Sequence, residues 1–351
     1  MSNERKLQIR SKASPPFRGL GGDMYSLIGG CHITIGAASF TSVVDVAIKR
    51  STREANATAV IKVPVTAVLK QAGGEKTYIE TARQIAVDDK VIIQLGYDGS
   101  LKTEFTGFVK RINYTVPLEI ECEDWYWKLR RSSIKKSYAK TTVKQLLNDV
   151  LAGSGATVHP ATIDLGLKNT IIDNKTGAWV IEKLKSDYGL TVFFDLQGRL
   201  YAGKAYEVKS DRVKYELNGE RRNVLKDDDL KFYRADDYKL KVEAKSYDRN
   251  GAKLEASVGA EGGESKTLFF YDVKDAAQLK VLAEAELKRY SFDGYRGKIE
   301  TFMIPYAEPC MVADINDSLY NQRSGNYYIE STEVKFGRSG GRRIVELGIK
   351  I

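Results

Sequence analysis

Residues 88–130 read DDKVIIQLGYDGSLKTEFTGFVKRINYTVPLEIECEDWYWKLR, and this stretch decides how the rest of the chain is interpreted. Apolar side chains recur along three runs, at 91–95, 105–112 and 118–122, with a turn at 97–99 between the first two. Alternation with a period of two residues is typical of strands that bury one face. The stretch therefore predicts a small antiparallel meander of three strands.

A similar pattern returns near the end of the chain. Residues 314–317 (DIND) precede a polar turn, 325–334 (GNYYIESTEV) follow, and 343–349 (RIVELGI) close the pattern after another turn. In both places a glycine-aromatic step enters a strand, and the last strand alternates glutamate with aliphatic residues. We interpret the two stretches as related β-modules within one polypeptide.

The composition is that of a soluble chain large enough for two or three domains. It has 351 residues, of which 42% are hydrophobic and 29% charged. No run of about 20 apolar residues is present, so no membrane anchoring is expected. The charged N-terminus lacks the apolar centre of a signal peptide, which predicts synthesis and assembly in a cytoplasm. Cys31, Cys122 and Cys310 lie far apart, so neither a disulfide framework nor a zinc knuckle is expected.

A net charge of +9 raises the possibility of a nucleic-acid partner. Basic residues are spread along the whole chain, however, and acidic residues are interleaved with them. A solvated surface, or a surface complementary to an acidic protein, explains this distribution better than specific nucleic-acid recognition.

Local patterns predict a mainly β chain with α+β character, in which two related β-barrel domains flank a small α/β domain. We expect an arm at 1–28, a first β-barrel at 29–131, an α/β middle domain with a charged linker at 132–234, and a second β-barrel with one helix at 235–351.

Helix signals fall in the middle domain and in the second β-domain. Thr142 is expected to cap a helix at 143–151 that ends before Gly153, and a second helix is expected from Thr176 to Gly189 with Trp179 facing inward. Asn-Gly at 250–251 predicts a hairpin turn. Asp275 is expected to cap the helix of the second β-domain.

The sequence shows no constellation typical of an enzyme. His32 and His159 lack metal-ligand spacing, and no nucleophile elbow or phosphate-binding glycine loop is present. Glu119, Glu121 and Glu123 share one face of a strand, which favours a solvated or partner-facing surface over a glycosidase pair. We expect no catalytic residue, no cofactor and no metal. Trp125-Tyr126-Trp127 and Tyr327-Tyr328 are expected to lie in the core or in an interface.

Taken together, several of these segments resemble phage tail baseplate hub proteins and late-control protein D-type proteins, which are related to the hub part of type VI secretion spike proteins. The resemblance covers about residues 30–351. The segments that carry it are 57–64 (ATAVIKVP), 87–99 (VDDKVIIQLGYDG), 104–109 (EFTGFV), 120–124 (IECED), 140–147 (KTTVKQLL) and 325–347.

The resemblance implies a homotrimer in which each chain supplies two β-barrels to a ring that joins a six-fold tail tube to a three-fold central spike. It also implies contacts with a tail tube or tube-initiator protein and with other baseplate components, in a virion tail or phage-like particle. DNA or cargo would pass through the channel without specific recognition. The alternative is an envelope-degrading, tail-associated enzyme such as a glycan hydrolase.

Overall fold

The computed structural model describes residues 27–70, 76–235, 239–247, 252–271, 273 and 275–351. Strands account for 51% of the structure and helices for 16%, which confirms the prediction of a mainly β fold. The expectations for the N-terminal arm, apart from Leu27 and Ile28, and for the Asn-Gly turn at 250–251 lie outside the described residues.

The N-terminal part of the chain forms nine strands, three of which are the meander predicted from 88–130. A short 3-10 helix, Thr81–Gln84, follows the sixth strand. The strands are β1 (Gly29–Ile35), β2 (Ala38–Phe40), β3 (Asp45–Ser51), β4 (Thr58–Val63), β5 (Thr66–Lys70), β6 (Lys76–Glu80), β7 (Lys90–Tyr97), β8 (Ser100–Asn113) and β9 (Leu118–Glu123).

The middle part combines helices with short strands, as the sequence predicts. Its elements are α1 (Tyr126–Arg131), β10 (Ile134–Thr142), α2 (Val143–Leu151), β11 (Thr157–Val158), β12 (Gly166–Lys175), α3 (Gly177–Tyr188), β13 (Thr191–Phe194) and β14 (Arg199–Gly203). The Thr142 hydroxyl accepts a hydrogen bond from the N–H of Gln145, whose side chain accepts one from the N–H of Thr142. The prediction that Trp179 faces inward is wrong, because its side chain is 38% exposed and flanked by two lysines.

The C-terminal part contains ten strands and one long helix. Asp275 caps that helix through the N–H groups of Ala277 and Gln278, as predicted. A 3-10 helix, Asn321–Arg323, precedes the last hairpin. The elements are β15 (Arg212–Glu216), β16 (Val224–Lys226), β17 (Lys231–Tyr233), β18 (Leu240–Tyr247), β19 (Lys253–Gly259), β20 (Glu264–Tyr271), α4 (Ala276–Tyr290), β21 (Gly294–Thr301), β22 (Val312–Asn316), β23 (Gly325–Gly337) and β24 (Gly340–Lys350).

One open sheet of fourteen strands dominates the structure, so the expectation of two separate β-barrels is wrong. Its main path runs β16-β21-β24-β23-β3-β4-β9-β8-β7-β1-β2, and the pairing of β3 with β23 joins the two ends of the chain. No closed barrel occurs among the described strands. Alternation determines which face of a strand is buried, but it does not determine which edge will lie beside another edge.

The predicted internal repeat is visible in the order of these strands. The first half of the sheet has the order β3-β4-β9-β8-β7-β1, and the second half has β16-β21-β24-β23-β22-β15. Both sets follow one another in the same sequence along the chain. The one reversal is at the end, where β1 runs antiparallel to β7 and β15 runs parallel to β22.

The interval that we expected to be a charged linker contributes two of these strands. β15 and β16 pair with β22 and β21, and therefore belong to the second half of the sheet. The division into domains at 29–131, 132–234 and 235–351 otherwise stays a prediction. Three smaller sheets, β10-β12, β11-β14-β13 and β19-β18-β20, accompany the large one, and β5 and β6 form a hairpin.

Candidate assembly site: the joint between the two halves of the sheet

The two halves share backbone details that alternation alone does not require. In the first, the N–H of Val109 donates to the carbonyl of Asp89 and its carbonyl accepts from the N–H of Asp88, both at 2.9 Å. In the second, Ile329 bonds in the same way to Met311 and Cys310, at 2.9 and 3.0 Å. Val109 and Ile329 therefore occupy the same position in the repeat.

Two further features support this alignment. Asp88 and Cys310, at matching positions, both adopt left-handed backbone conformations, with φ of 81° and 77°. Such values are uncommon for residues other than glycine. Each long strand also has a bulge one residue after the aligned position, at Lys110 in β8 and at Glu330 in β23.

The halves are joined where β3 pairs with the C-terminal part of β23, from Ser331 opposite Ser51 to Gly337 opposite Asp45. Val334 of β23 is 2% exposed, and Phe336 is also buried. Both belong to the hydrophobic core of the first half. The joint is thus a shared core as well as a strand pairing.

A buried ion pair crosses the joint. The Arg343 guanidinium donates to both carboxylate oxygens of Glu104, with Nη2–Oε1 at 2.7 Å and Nη1–Oε2 at 3.1 Å. It also donates to the carbonyls of Ala307 and Met303, at 2.6 and 3.3 Å. Such bidentate pairing adds geometric specificity, because both partners must be held in one orientation.

A second charged cluster lies at the other end of the joint. Arg53, in the loop after β3, contacts the buried Glu330 and lies 3.4 Å from Glu346. The Tyr206 hydroxyl also donates to Glu330. Arg50 of β3 pairs with Glu308 at 3.0 Å. Side chains of the first half therefore neutralise carboxylates of the second.

A polar cavity lies beside the joint, where the large sheet meets the middle part. Its lining includes Arg50, Asp124, His159, Asp195 and Cys310. Burial raises the pKa of Asp124 to about 7, against hydrogen bonds from the N–H groups of Ala57 and Tyr126 that lower it. Burial, with Arg199 nearby, lowers the pKa of His159. Among the described residues, no group of three or more potential metal ligands is found.

The strand carboxylates are held by neighbouring side chains. Asn113 donates to Glu119 at 3.0 Å and to Glu121 at 2.9 Å. Glu123 does not lie on a solvated face as we expected, because it is fully buried and bonded by Asn56 and Arg130 at 2.8 and 3.0 Å.

The aromatic segments lie inside the chain. Trp125 and Tyr126 are buried among residues of the middle part, and Tyr327 and Tyr328 are at most 1% exposed. An interface role for these four side chains is therefore wrong. Sequence reasoning also missed the Arg343–Glu104 pair, because its partners lie 239 residues apart and neither belongs to a recognisable motif.

No helix among the described residues has the length and apolar character needed to cross a membrane. No protein-family model and no curated protein matches the chain.

Solved structures do match it. A tail protein from Neisseria meningitidis is 12% identical with a TM-score of 0.62, over 92% of this chain and 96% of that one. The 43 kDa tail protein of prophage MuSo2 from Shewanella oneidensis is 15% identical with a TM-score of 0.58, over 91% and 97%. A type VI secretion component from Escherichia coli, described as similar to the phage T4 tail proteins gp27 and gp5, is 9% identical with a TM-score of 0.51, over 90% and 74%. The chain therefore has the fold of phage tail proteins.

Proposed function

We propose that this protein is a structural tail hub of a phage or phage-like contractile injection machine. Three copies form a ring that joins the six-fold tail tube to the three-fold central spike. The observation that carries the proposal is the six-strand order that occurs once in each half of the sheet. A ring of three such chains presents six similar modules, which suits a six-fold partner on one side and a three-fold partner on the other.

The fold shared with tail proteins supports this proposal. The partners would be the spike, the tail tube or a tube-initiator protein, and other baseplate components. Assembly would take place in the bacterial cytoplasm and the product would lie in the virion tail. DNA or cargo would pass through the channel without specific recognition.

Electron microscopy of the purified full-length chain tests the proposal. We expect a ring of three copies with a central channel, together with a trimer mass in light scattering. A chain that stays monomeric at every concentration, alone and with its spike partner, contradicts the hub.

The alternative is an envelope-degrading glycan hydrolase. Release of soluble fragments from purified peptidoglycan would support it. The side chains to replace in that case are Glu119 and Glu121, which Asn113 holds together.

A further inference from the structure

The joint within the chain serves as a template for a contact between chains. It consists of β3, the edge strand of the first half, paired with β23 of the second half. In the repeat, β16 and β17 take the place of β3, and β8 takes the place of β23. The chain therefore carries the two components of a second joint, on edges that do not meet within one copy.

Matching registers identify the residues of this second joint. Lys49 of β3 lies opposite Thr58 of β4, and Lys231 of β17 lies opposite Arg296 of β21, in the position that corresponds to Thr58. Lys231 therefore corresponds to Lys49. By the same reasoning Asn113, opposite Glu119 in β9, corresponds to Glu333, opposite Ile344 in β24.

Both edges are open in the single chain. Among the described strands, β17 pairs only with β21, and residues 111–113 of β8 pair only with β9. Unpaired strand edges present free N–H and C=O groups, which favour pairing with another strand.

Apolar exposure marks the same edges. Val334 is 2% exposed in the joint within the chain, whereas Tyr114, its counterpart in β8 by register, is 78% exposed. Nearby Val116 is 90% exposed, and Phe232 of β17 is 42% exposed. Leu230 corresponds to Ile48, which lies opposite Val334 within the chain.

The charges of the two edges are complementary. Within the chain, Lys49 lies opposite Glu333. In the second joint Lys231 would lie opposite Asn113, whose side chain holds Glu119 and Glu121 beside it. A basic edge would thus meet an acidic one, which favours this register over its alternatives.

We propose that β16 and β17 of one copy pair with β8 of a second copy, with Lys231 opposite Asn113 and with Tyr114 covered by the second copy. The contact is head to tail, because each chain offers one edge and accepts the other. It closes as a ring of three if each joint turns the chain by the same angle as the joint within it. This inference rests on the proposed function, since it specifies the surfaces by which the hub assembles.

A pair of engineered cysteines tests the register. Under mild oxidation, Asn113→Cys/Lys231→Cys is expected to form covalent dimers and trimers on a non-reducing gel, while each single variant stays monomeric. The matched control is Lys49→Cys/Glu333→Cys, which should close a bridge within one chain and keep the monomer mass. Cys31, Cys122 and Cys310 are buried and should not interfere.

The outcomes separate this inference from the proposed function. A wild-type chain that is monomeric at all concentrations contradicts both. A wild-type trimer in which the control pair closes and the 113/231 pair does not overturns the edge assignment alone.

A second variant tests the apolar contact. Tyr114→Asp should abolish the trimer at a concentration where the wild type is trimeric, without changing the far-UV circular dichroism spectrum. Ile171→Asp, at an equally exposed site on β12, should leave the trimer intact. Persistence of the trimer in Tyr114→Asp would also overturn the inference.

Discussion

The two halves of the large sheet have the same strand order but distribute their charges differently at the bulge. In the first half the bulge residue is Lys110, 3.7 Å from the buried Glu123 of the same half. In the second half the bulge residue is Glu330, and Gly348 occupies the position of Glu123. A Cβ on Gly348 would lie only 2.5 Å from the Glu330 side chain, so glycine makes room for it. The cation for Glu330 is Arg53, which comes from the first half.

This difference shows how a repeated module acquires a specific neighbour. The first half neutralises its buried carboxylate internally, whereas the second half depends on a side chain from across the joint. The predictions below test how strongly each half depends on the joint.

The largest effect is expected from the ion pair that crosses the joint. Arg343→Met leaves the buried Glu104 carboxylate without its cation, and should lower the free energy of unfolding by about 3–5 kcal/mol in denaturant titrations. Replacing both residues with methionine should restore part of the loss.

The control for this variant is Arg111→Met within the first half. The Arg111 side chain is 64% exposed and lies 3.7 Å from Glu121, so the loss should stay below about 1 kcal/mol. Similar losses for the two variants would mean that the joint contributes no more than a surface contact.

An intermediate effect is expected at one position where the halves differ in backbone. Gly297 of β21 corresponds to Ala59 of β4, since both lie opposite matching residues, Leu347 and Cys122. Gly297 has φ of 126°, and a Cβ there would lie 2.1 Å from the Asp229 carbonyl oxygen.

Gly297→Ala should therefore cost about 2 kcal/mol of unfolding free energy, because it adds both strain and a steric clash. Ala59→Gly, the reciprocal change, should cost about 1 kcal/mol through backbone entropy alone. A Gly297→Ala variant as stable as wild type would show that the segment between β16 and β17 can shift to relieve the clash.

The smallest effect is expected from a buried acid that only the first half contains. Asp124 corresponds to the buried Ile349, two residues beyond the matching Cys122 and Leu347. Because burial raises the pKa of Asp124 to about 7, the folded chain binds this proton more tightly than the unfolded chain. Stability should therefore fall as the pH rises from about 4 towards 7.

Urea unfolding measured across this pH range would detect the change. In Asp124→Asn the corresponding part of the pH dependence should disappear. An unchanged pH profile in the variant would contradict the raised pKa of Asp124.

Much of the local structure could be predicted from the sequence. The alternation in 88–130 predicts β7, β8 and β9, and the cap residues Thr142, Thr176 and Asp275 predict the starts of three helices. These signals are reliable because they depend on neighbours within a few residues.

The roles of particular side chains were harder to predict. Glu123 continues the polar side of an alternating strand, yet it is buried because α1 follows at once and Arg130 covers it. The paired tyrosines at 327–328 look like interface residues in the sequence, and they lie in the cores of the second half and of the smaller α4-containing unit.

The sequence by itself determined the strands, the helix caps and the existence of a repeat, because each leaves a periodic or positional pattern in the residues. Only the tertiary structure decided that β3 pairs with β23, that Arg343 pairs with Glu104, and that the two halves form one sheet. The physical reason is that alternation specifies the buried face of a strand, while the choice of neighbouring strand depends on edges hundreds of residues apart competing for the same hydrogen bonds and core volume.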